Sequence, residues 1–175
     1  AEPPHILYLI MANWQQKQGK LKQITCKGGN VVGVNASNQI WQWNHSSNSW
    51  QQLPGAATHA SAGVDGSIWC CNAAQEIYRW NGMGWEKMPG ACVQIDALTR
   101  DHAVCANAQQ QLWEFRNGSW HKLDGAGTHI TIGANGEKWV VNAQQQIWRM
   151  FPGQNNWHQV QGALVSIHAT DSNHV

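Results

Sequence analysis

Hydrophobic and polar positions along this chain alternate in short runs and never hold a helical period. Glu76 to Trp80 sets Ile77 and Arg79 against Tyr78 and Trp80, the period of two expected of a strand with distinct faces. Before it, residues 58–64 form one strand-sized run, and Asp65-Gly66 supplies a hairpin turn leading into Ser67 to Asn72. After it, Asn81-Gly82 turns the chain into a fourth run, Trp85 to Met88, which Pro89-Gly90 closes. A helical solenoid would require amphipathic runs of ten or more residues, and the chain has none. The pattern predicts an all-β protein built from units of four short strands.

These units repeat. Trp14, Trp50, Trp85, Trp120 and Trp157 are separated by 36, 35, 35 and 37 residues, and five residues after each stands a glycine: Gly19, Gly55, Gly90, Gly125 and Gly162. Alanine follows four of them, as Ala56, Ala91, Ala126 and Ala163. An Asn-Ala pair recurs at Asn35, Asn72, Asn107 and Asn142; four residues after its alanine comes Ile40, Ile77, Leu112 or Ile147, then an aromatic: Trp41, Tyr78, Trp113 or Trp148. Four-stranded units at this spacing predict the blades of a β-propeller. Five repeats of 35 residues account for all 175, so a single five-bladed domain over residues 1–175 is expected. Leu164 to Val175 matches the first strand and the start of the second strand of a blade, and His5 to Trp14 a third strand running into a fourth. One blade is therefore expected to be assembled from both termini, closing the ring and removing free sheet edges. About three residues are missing from that blade's second strand, so six blades on a longer chain remain an alternative.

Composition narrows the function. The net charge is +1 and only 12% of residues are charged, so the electrostatic footprint of a nucleic-acid binder is absent. The longest apolar run, Ile6 to Ala12, is strand-sized, which argues against membrane insertion by a helix. The polar character is amide, with 15 Asn and 19 Gln, and the aromatic character is tryptophan, 12 against 2 Tyr and 2 Phe. Five cysteines without metal-ligand spacing or a pairing pattern imply no metal and favour a cytoplasmic over a secreted location. Only 5 Asp and 5 Glu are present, none recurring in register as a glycosidase pair would, so neither an enzyme nor a cofactor is expected.

In a propeller, the loops joining strands two and three and those joining one blade to the next emerge on one face. The Asn-Ala turns and the Gly-Ala segments therefore converge on one rim. Asn35, Asn72, Asn107 and Asn142 offer amide donors and acceptors for hydroxyl groups. Trp41, Tyr78, Trp113 and Trp148 offer flat apolar platforms for a sugar's C–H face. Gly55-Ala56, Gly90-Ala91, Gly125-Ala126 and Gly162-Ala163 admit a ligand close to the backbone. Each set also has a purely structural reading: turn asparagines, aromatics packed between blades, and glycine turns. Repeated structure demands repeated residues, so the repetition supports fold and site alike. His59 and His129 occupy equivalent strand positions and read as packed histidines. The cluster of Lys17, Lys20, Lys22 and Lys27 reads as a solvated face, and Asp96, Asp101 and His102 as part of a first-strand hairpin. No residue set unique to one blade marks the central tunnel.

The segments Val32-Gly33-Val34-Asn35, Trp69-Cys70-Cys71-Asn72, Val104-Cys105-Ala106-Asn107 and Trp139-Val140-Val141-Asn142 resemble the W-G-V-N signature of tectonin repeats. So do the preceding Trp-x-x-x-x-Gly segments and the following Gln-Ile-Trp or Glu-Ile-Tyr. Tectonin-family propellers include lectins of invertebrates, fish eggs, fungi and slime moulds, and the resemblance implies a multivalent binder of glycans or bacterial lipopolysaccharide. The chain departs from the pattern in retaining the signature glycine only at Gly33 and in placing Ala after the later glycine, where invertebrate members often have Gly-x-Leu. Pocket size suggests room for a methyl group, hence O-methylated saccharides. The alternative is a protein-interaction scaffold, whose binding face should diverge from blade to blade.

Overall fold

A computed structural model describes residues 15–170. Within them lie four antiparallel sheets of four strands, each in simple up-and-down order. The first holds β1 (Gln23–Lys27), β2 (Asn30–Val34), β3 (Gln39–Asn44) and β4 (Ser49–Ala56). The second holds β5 (His59–Ala62), β6 (Ile68–Cys71), β7 (Glu76–Trp80) and β8 (Trp85–Ala91). The third holds β9 (Gln94–Thr99), β10 (His102–Ala106), β11 (Gln111–Arg116) and β12 (Ser119–Ala126). The fourth holds β13 (His129–Ile132), β14 (Lys138–Val141), β15 (Ile147–Met150) and β16 (His158–Val160).

Each sheet is a blade, and the apolar core lies between blades. Val32, Val34, Ile40 and Leu53 of the first pack on Ala57, Ala60, Ala62, Ile68 and Cys70 of the second. Trp69, Cys71, Ile77 and Met88 of the second pack on Cys92, Ile95, Ala97, Cys105 and Phe115 of the third. Leu98, Val104 and Leu112 of the third pack on Ile130, Ile132 and Val140 of the fourth. A blade buries its two faces only against neighbours, which is why strands such as β6 (Ile-Trp-Cys-Cys) are apolar throughout.

The inner strands β1, β5, β9 and β13 follow one another around the axis. A repeated side-chain oxygen links them: Thr25, Ser61 and Asp96 accept the N–H of Ala62, Ala97 and Ile132 at 3.1, 2.9 and 2.9 Å. Thr131 accepts the N–H of Ala169 at 2.8 Å in the same manner, and His168 Nε2 donates to the carbonyl of Cys26 at 3.0 Å. Residues 166–169 therefore sit between β13 and β1, although residues 164–170 form no strand. The described residues thus give four blades where five were expected. His5 to Trp14 and residues 171–175, which carry most of the expected closing blade, lie outside the described residues.

Two expectations need correcting. The fourth strands do not stop at Pro-Gly. Ile40 pairs with Leu53 while its neighbour Gln39 pairs with Ala56, so Pro54 and Gly55 form a two-residue bulge and the strand runs on. The same shift occurs at Pro89-Gly90 and Asp124-Gly125, so Gly-Ala ends a strand and is not a loop. Second, the axis does carry unique residues. Lys27, far from a solvated face, is fully buried and donates to Asp96 Oδ2 at 2.7 Å, Ala97 O at 2.8 Å and Ile132 O at 2.7 Å. Asp96 is buried at the axis, outside any hairpin turn, and also accepts from the hydroxyls of Ser61 and Thr131.

Candidate functional site

The Asn-Ala turn is built by its asparagine. In the third blade Asn107 Oδ1 accepts the N–H of Gln109 and Gln111 at 3.1 and 2.9 Å, and Nδ2 donates to Gln111 Oε1 at 2.9 Å. Asn35 and Asn142 make the same three bonds, and Asn72 makes the corresponding pair to Glu76. Three residues on, the chain enters the left-handed region at Asn38, Gln75, Gln110 and Gln145 (φ 61 to 64). The carbonyl of each of these residues accepts an N–H from the segment after the bulge: Ala57, Cys92, Gly127 or Leu164. Turn and bulge are tied together, and the asparagines hold the turn.

The bulge then meets the next blade. Its outward carbonyl, at Pro54, Pro89 or Asp124, accepts the indole N–H of Trp85, Trp120 or Trp157 at 2.6, 2.8 and 2.8 Å. Gly55, Gly90 and Gly125 have φ of 87, 95 and 86, and the indole rests beside them; a Cβ there would lie about 3.5 Å from the ring, an ordinary contact. Glycine is required by the backbone, not by crowding.

Between neighbouring blades this leaves a socket. At the first–second junction it is lined by Ile40, Gly55 and Ala56 from one blade and Cys70, Asn72, Tyr78 and Trp85 from the next, with a volume of about 220 Å³. At the second–third junction Ile77, Gly90 and Ala91 face Cys105, Asn107, Trp113 and Trp120 around 160 Å³. At the third–fourth junction Leu112, Gly125 and Ala126 face Val140, Asn142, Trp148 and Trp157 around 240 Å³. Ahead of the first blade, Gly19, Lys20 and Leu21 face Asn35, Trp41 and Trp50 around 300 Å³. Every expected site residue except Gly162 and Ala163 lines one of these four sockets; those two lie beyond the fourth blade, where Gly162 adjoins Ile147.

The fourth-strand tryptophans Trp50, Trp85, Trp120 and Trp157 belong to the site as well, though the repeat assigned only the third-strand aromatics to it. They are socket walls, partly buried like the third-strand aromatics opposite. The glycine five residues after each tryptophan receives the indole of the next blade: Gly19, Gly55, Gly90 and Gly125 adjoin Trp50, Trp85, Trp120 and Trp157. The position of the signature glycine shapes the floor: Cys70, Cys105 and Val140 enter their sockets, whereas at Gly33 the space is filled by Leu21, whose Cδ1 would be 2.6 Å from an added Cβ. The sockets share apolar floors and differ in rim charge. Glu76 replaces the glutamine found at 39, 111 and 146; hydrogen bonds from Lys87, Asn72 and Tyr78 hold its carboxyl down at about 2. Among the described residues no group of three or more His, Cys, Asp or Glu is arranged to hold a metal.

The Tectonin domain family model matches residues 20–114 and 92–175. Tectonin-2 of Physarum polycephalum is 44% identical over 68 residues, 38% of this chain and 19% of that protein. Tectonin-1 of the same organism is 35% identical over 77 residues, 39% of this chain and 32% of that protein. This chain thus spans a third or less of those relatives. Among solved structures, the β-propeller domain of Myceliophteria thermophila Cps50 (Swd1) superposes with a TM-score of 0.62 at 9% identity, covering 86% of this chain and 59% of that one. YCF48 from Cyanidioschyzon merolae does so with a TM-score of 0.57 at 12% identity, covering 83% and 57%. At such identities these likenesses establish the propeller fold alone.

Proposed function

Because the chain belongs to the tectonin family, we propose that it is a multivalent carbohydrate-binding propeller, a lectin whose ligands occupy the sockets between neighbouring blades. One observation carries this reading: the same socket, with two aromatic walls, a small apolar floor and an amide rim, recurs at successive junctions. Aromatic walls suit the C–H face of a sugar, and the asparagine keeps one N–H free for a hydroxyl. A floor of Ile or Leu, Ala and Cys or Val offers a methyl substituent an apolar seat, which favours O-methylated or other methyl-bearing microbial glycans. Residues 166–169, held against β13 and β1, support a fifth blade there, to whose socket the repeat would assign Gly162 and Ala163.

The reading is of a binding protein and not an enzyme. Six of the eight described carboxylates, Glu76, Glu86, Asp96, Asp101, Glu114 and Glu137, are tied in ion pairs, and Asp65 accepts from Ser67 and the Arg100 N–H. A scaffold for protein partners is the second reading, favoured by charge clusters that differ between blades: Arg79 with Glu86 and Asp101, against Glu114 with Lys138 and His102.

A glycan array that includes O-methylated saccharides and lipopolysaccharide, followed by agglutination of beads coated with the best hit, tests the first reading. Binding inhibited by the free sugar, with two fewer sites per chain in the W113A/W148A variant, is expected. Silence on the array together with no lipopolysaccharide binding would overturn it.

A further inference from the structure

The axis of the ring holds a cavity of about 390 Å³ that the carbohydrate reading does not use. The four inner strands begin on Gln23, His59, Gln94 and His129, which alternate around its wall. The glutamines are consumed by the fold. Gln23 donates to Ala60 O at 2.9 Å and accepts from Ala60 N at 3.0 Å, and Gln94 grips Ile130 in the same two-point manner. An imidazole cannot reproduce that grip. His59 and His129 accordingly leave Nδ1 buried with no hydrogen-bond partner among the described residues.

A neutral imidazole carries one proton. Placed on Nδ1 it would bury an N–H without an acceptor, so it belongs on Nε2, on the ring edge left to face the cavity. The lining carboxylate, Asp96, accepts from Lys27, Thr131 and the Ile132 N–H at Oδ2 and from Ser61 at Oδ1. Lys22 stands exposed at the cavity edge, with its ammonium donating to Asn38 Oδ1. The cavity therefore presents the two Nε2–H donors, while Lys27 offsets the charge of its carboxylate.

We propose that this axial cavity binds a small oxyanion, a phosphate, sulfate or carboxylate group, through Nε2–H of His59 and His129. Its volume leaves space for more than the bare ion, up to a monosaccharide phosphate. Binding tightens as pH falls, because an anion favours the imidazolium. The charged and titratable groups around His59 are Asp96 on β9, His129 on β13, His168 and, at the cavity edge, Lys22. Burial, only partly offset by Asp96, holds His59 at about 4 without a ligand.

The test is calorimetric titration of the protein with inorganic phosphate, sulfate, acetate and glucose phosphate at constant ionic strength, at pH 7 and 5.5. Saturable one-to-one binding, tighter at pH 5.5, is expected, with Tm raised roughly 3–5 °C at tenfold excess over Kd. H59Q/H129Q, which supplies the glutamine of the other blades, should weaken binding at least tenfold, retain the wild-type Tm without ligand, and leave rim agglutination unchanged. A phosphate that binds while glucose phosphate does not would assign the free ion; the reverse would assign the sugar. Absence of binding by all four anions, or equal binding by H59Q/H129Q, would overturn the proposal. Should that variant not fold, the wild-type histidine ring 15N signals decide: unmoved by phosphate, they overturn it too.

Discussion

An asparagine amide has two lone pairs and two N–H groups, and Asn107 commits both lone pairs and one N–H to its own turn. Only one N–H remains for a ligand. This separates the turn role from the binding role experimentally. N107A removes all three bonds and should cost about 1–2 kcal/mol in a denaturant titration. N107D keeps both backbone bonds, so it should lose under half of that while reducing the number of sugar sites counted by calorimetry by one. Equal loss of stability in the two variants would contradict this division. The opposing tryptophans divide in a similar way. W157F keeps the ring but deletes the indole donor to Asp124, for an expected stability loss of about 0.5–1.5 kcal/mol. Trp148 has no such bond to the bulge, so W148A should act mainly on sugar affinity, read by titration of that socket.

At the scale of strands and turns, the socket is a consequence of the bulge. The two extra residues turn a carbonyl outward for the neighbouring indole and leave glycine at positive φ. Gly90 has φ of 95 and space for a methyl group, with Trp120 3.5 Å from an added Cβ. G90A should therefore cost about 1–2 kcal/mol through backbone strain alone, measured as a fall in Tm, with the indole left in place. The alternation of Glu76 to Trp80 and the Asn-Gly and Asp-Gly turns made the strands legible, since each is a local signal. The bulge was not, because Pro-Gly marks a bulge and a strand end equally well. For the same reason Gly-Ala signals a loop as readily as a strand end, and nothing local ties the fourth-strand tryptophans to the socket they help to wall. The repeat brought the asparagines, third-strand aromatics and glycines to one rim, but it could not separate turn-holding from ligand-holding.

Across the whole molecule, what repetition conceals is the exception. Lys27 and Asp96 sit 69 residues apart and join only when the blades close around the axis, so no local pattern reveals them. Burial pushes the Asp96 carboxyl up, and Lys27, His168 and the Thr131 hydroxyl outweigh it, leaving it below its ordinary range. A carboxyl lowered on folding gives stability that is full above its unfolded value and lost as pH falls through the folded one. Glu114 adds to this window: burial opposes, but His102 and Lys138 bring it down to about 2. Wild-type stability should therefore decline below about pH 4.5, with E114Q showing a shallower decline. The lysine behaves in the opposite sense, because burial lowers Lys27 and Asp96 only partly offsets it. In K27M the Asp96 carboxylate is left buried without its counter-charge, at a cost of about 3–5 kcal/mol. In D96N the buried ammonium is the uncompensated group, and it can shed its proton. Stability of D96N should then rise with pH as Lys27 deprotonates in the fold while the unfolded lysine still holds its proton. Denaturant titrations at pH 6, 8 and 9.5 read this directly: a gap between D96N and wild type that stays constant across that range would show that the Lys27 charge does not set the cost.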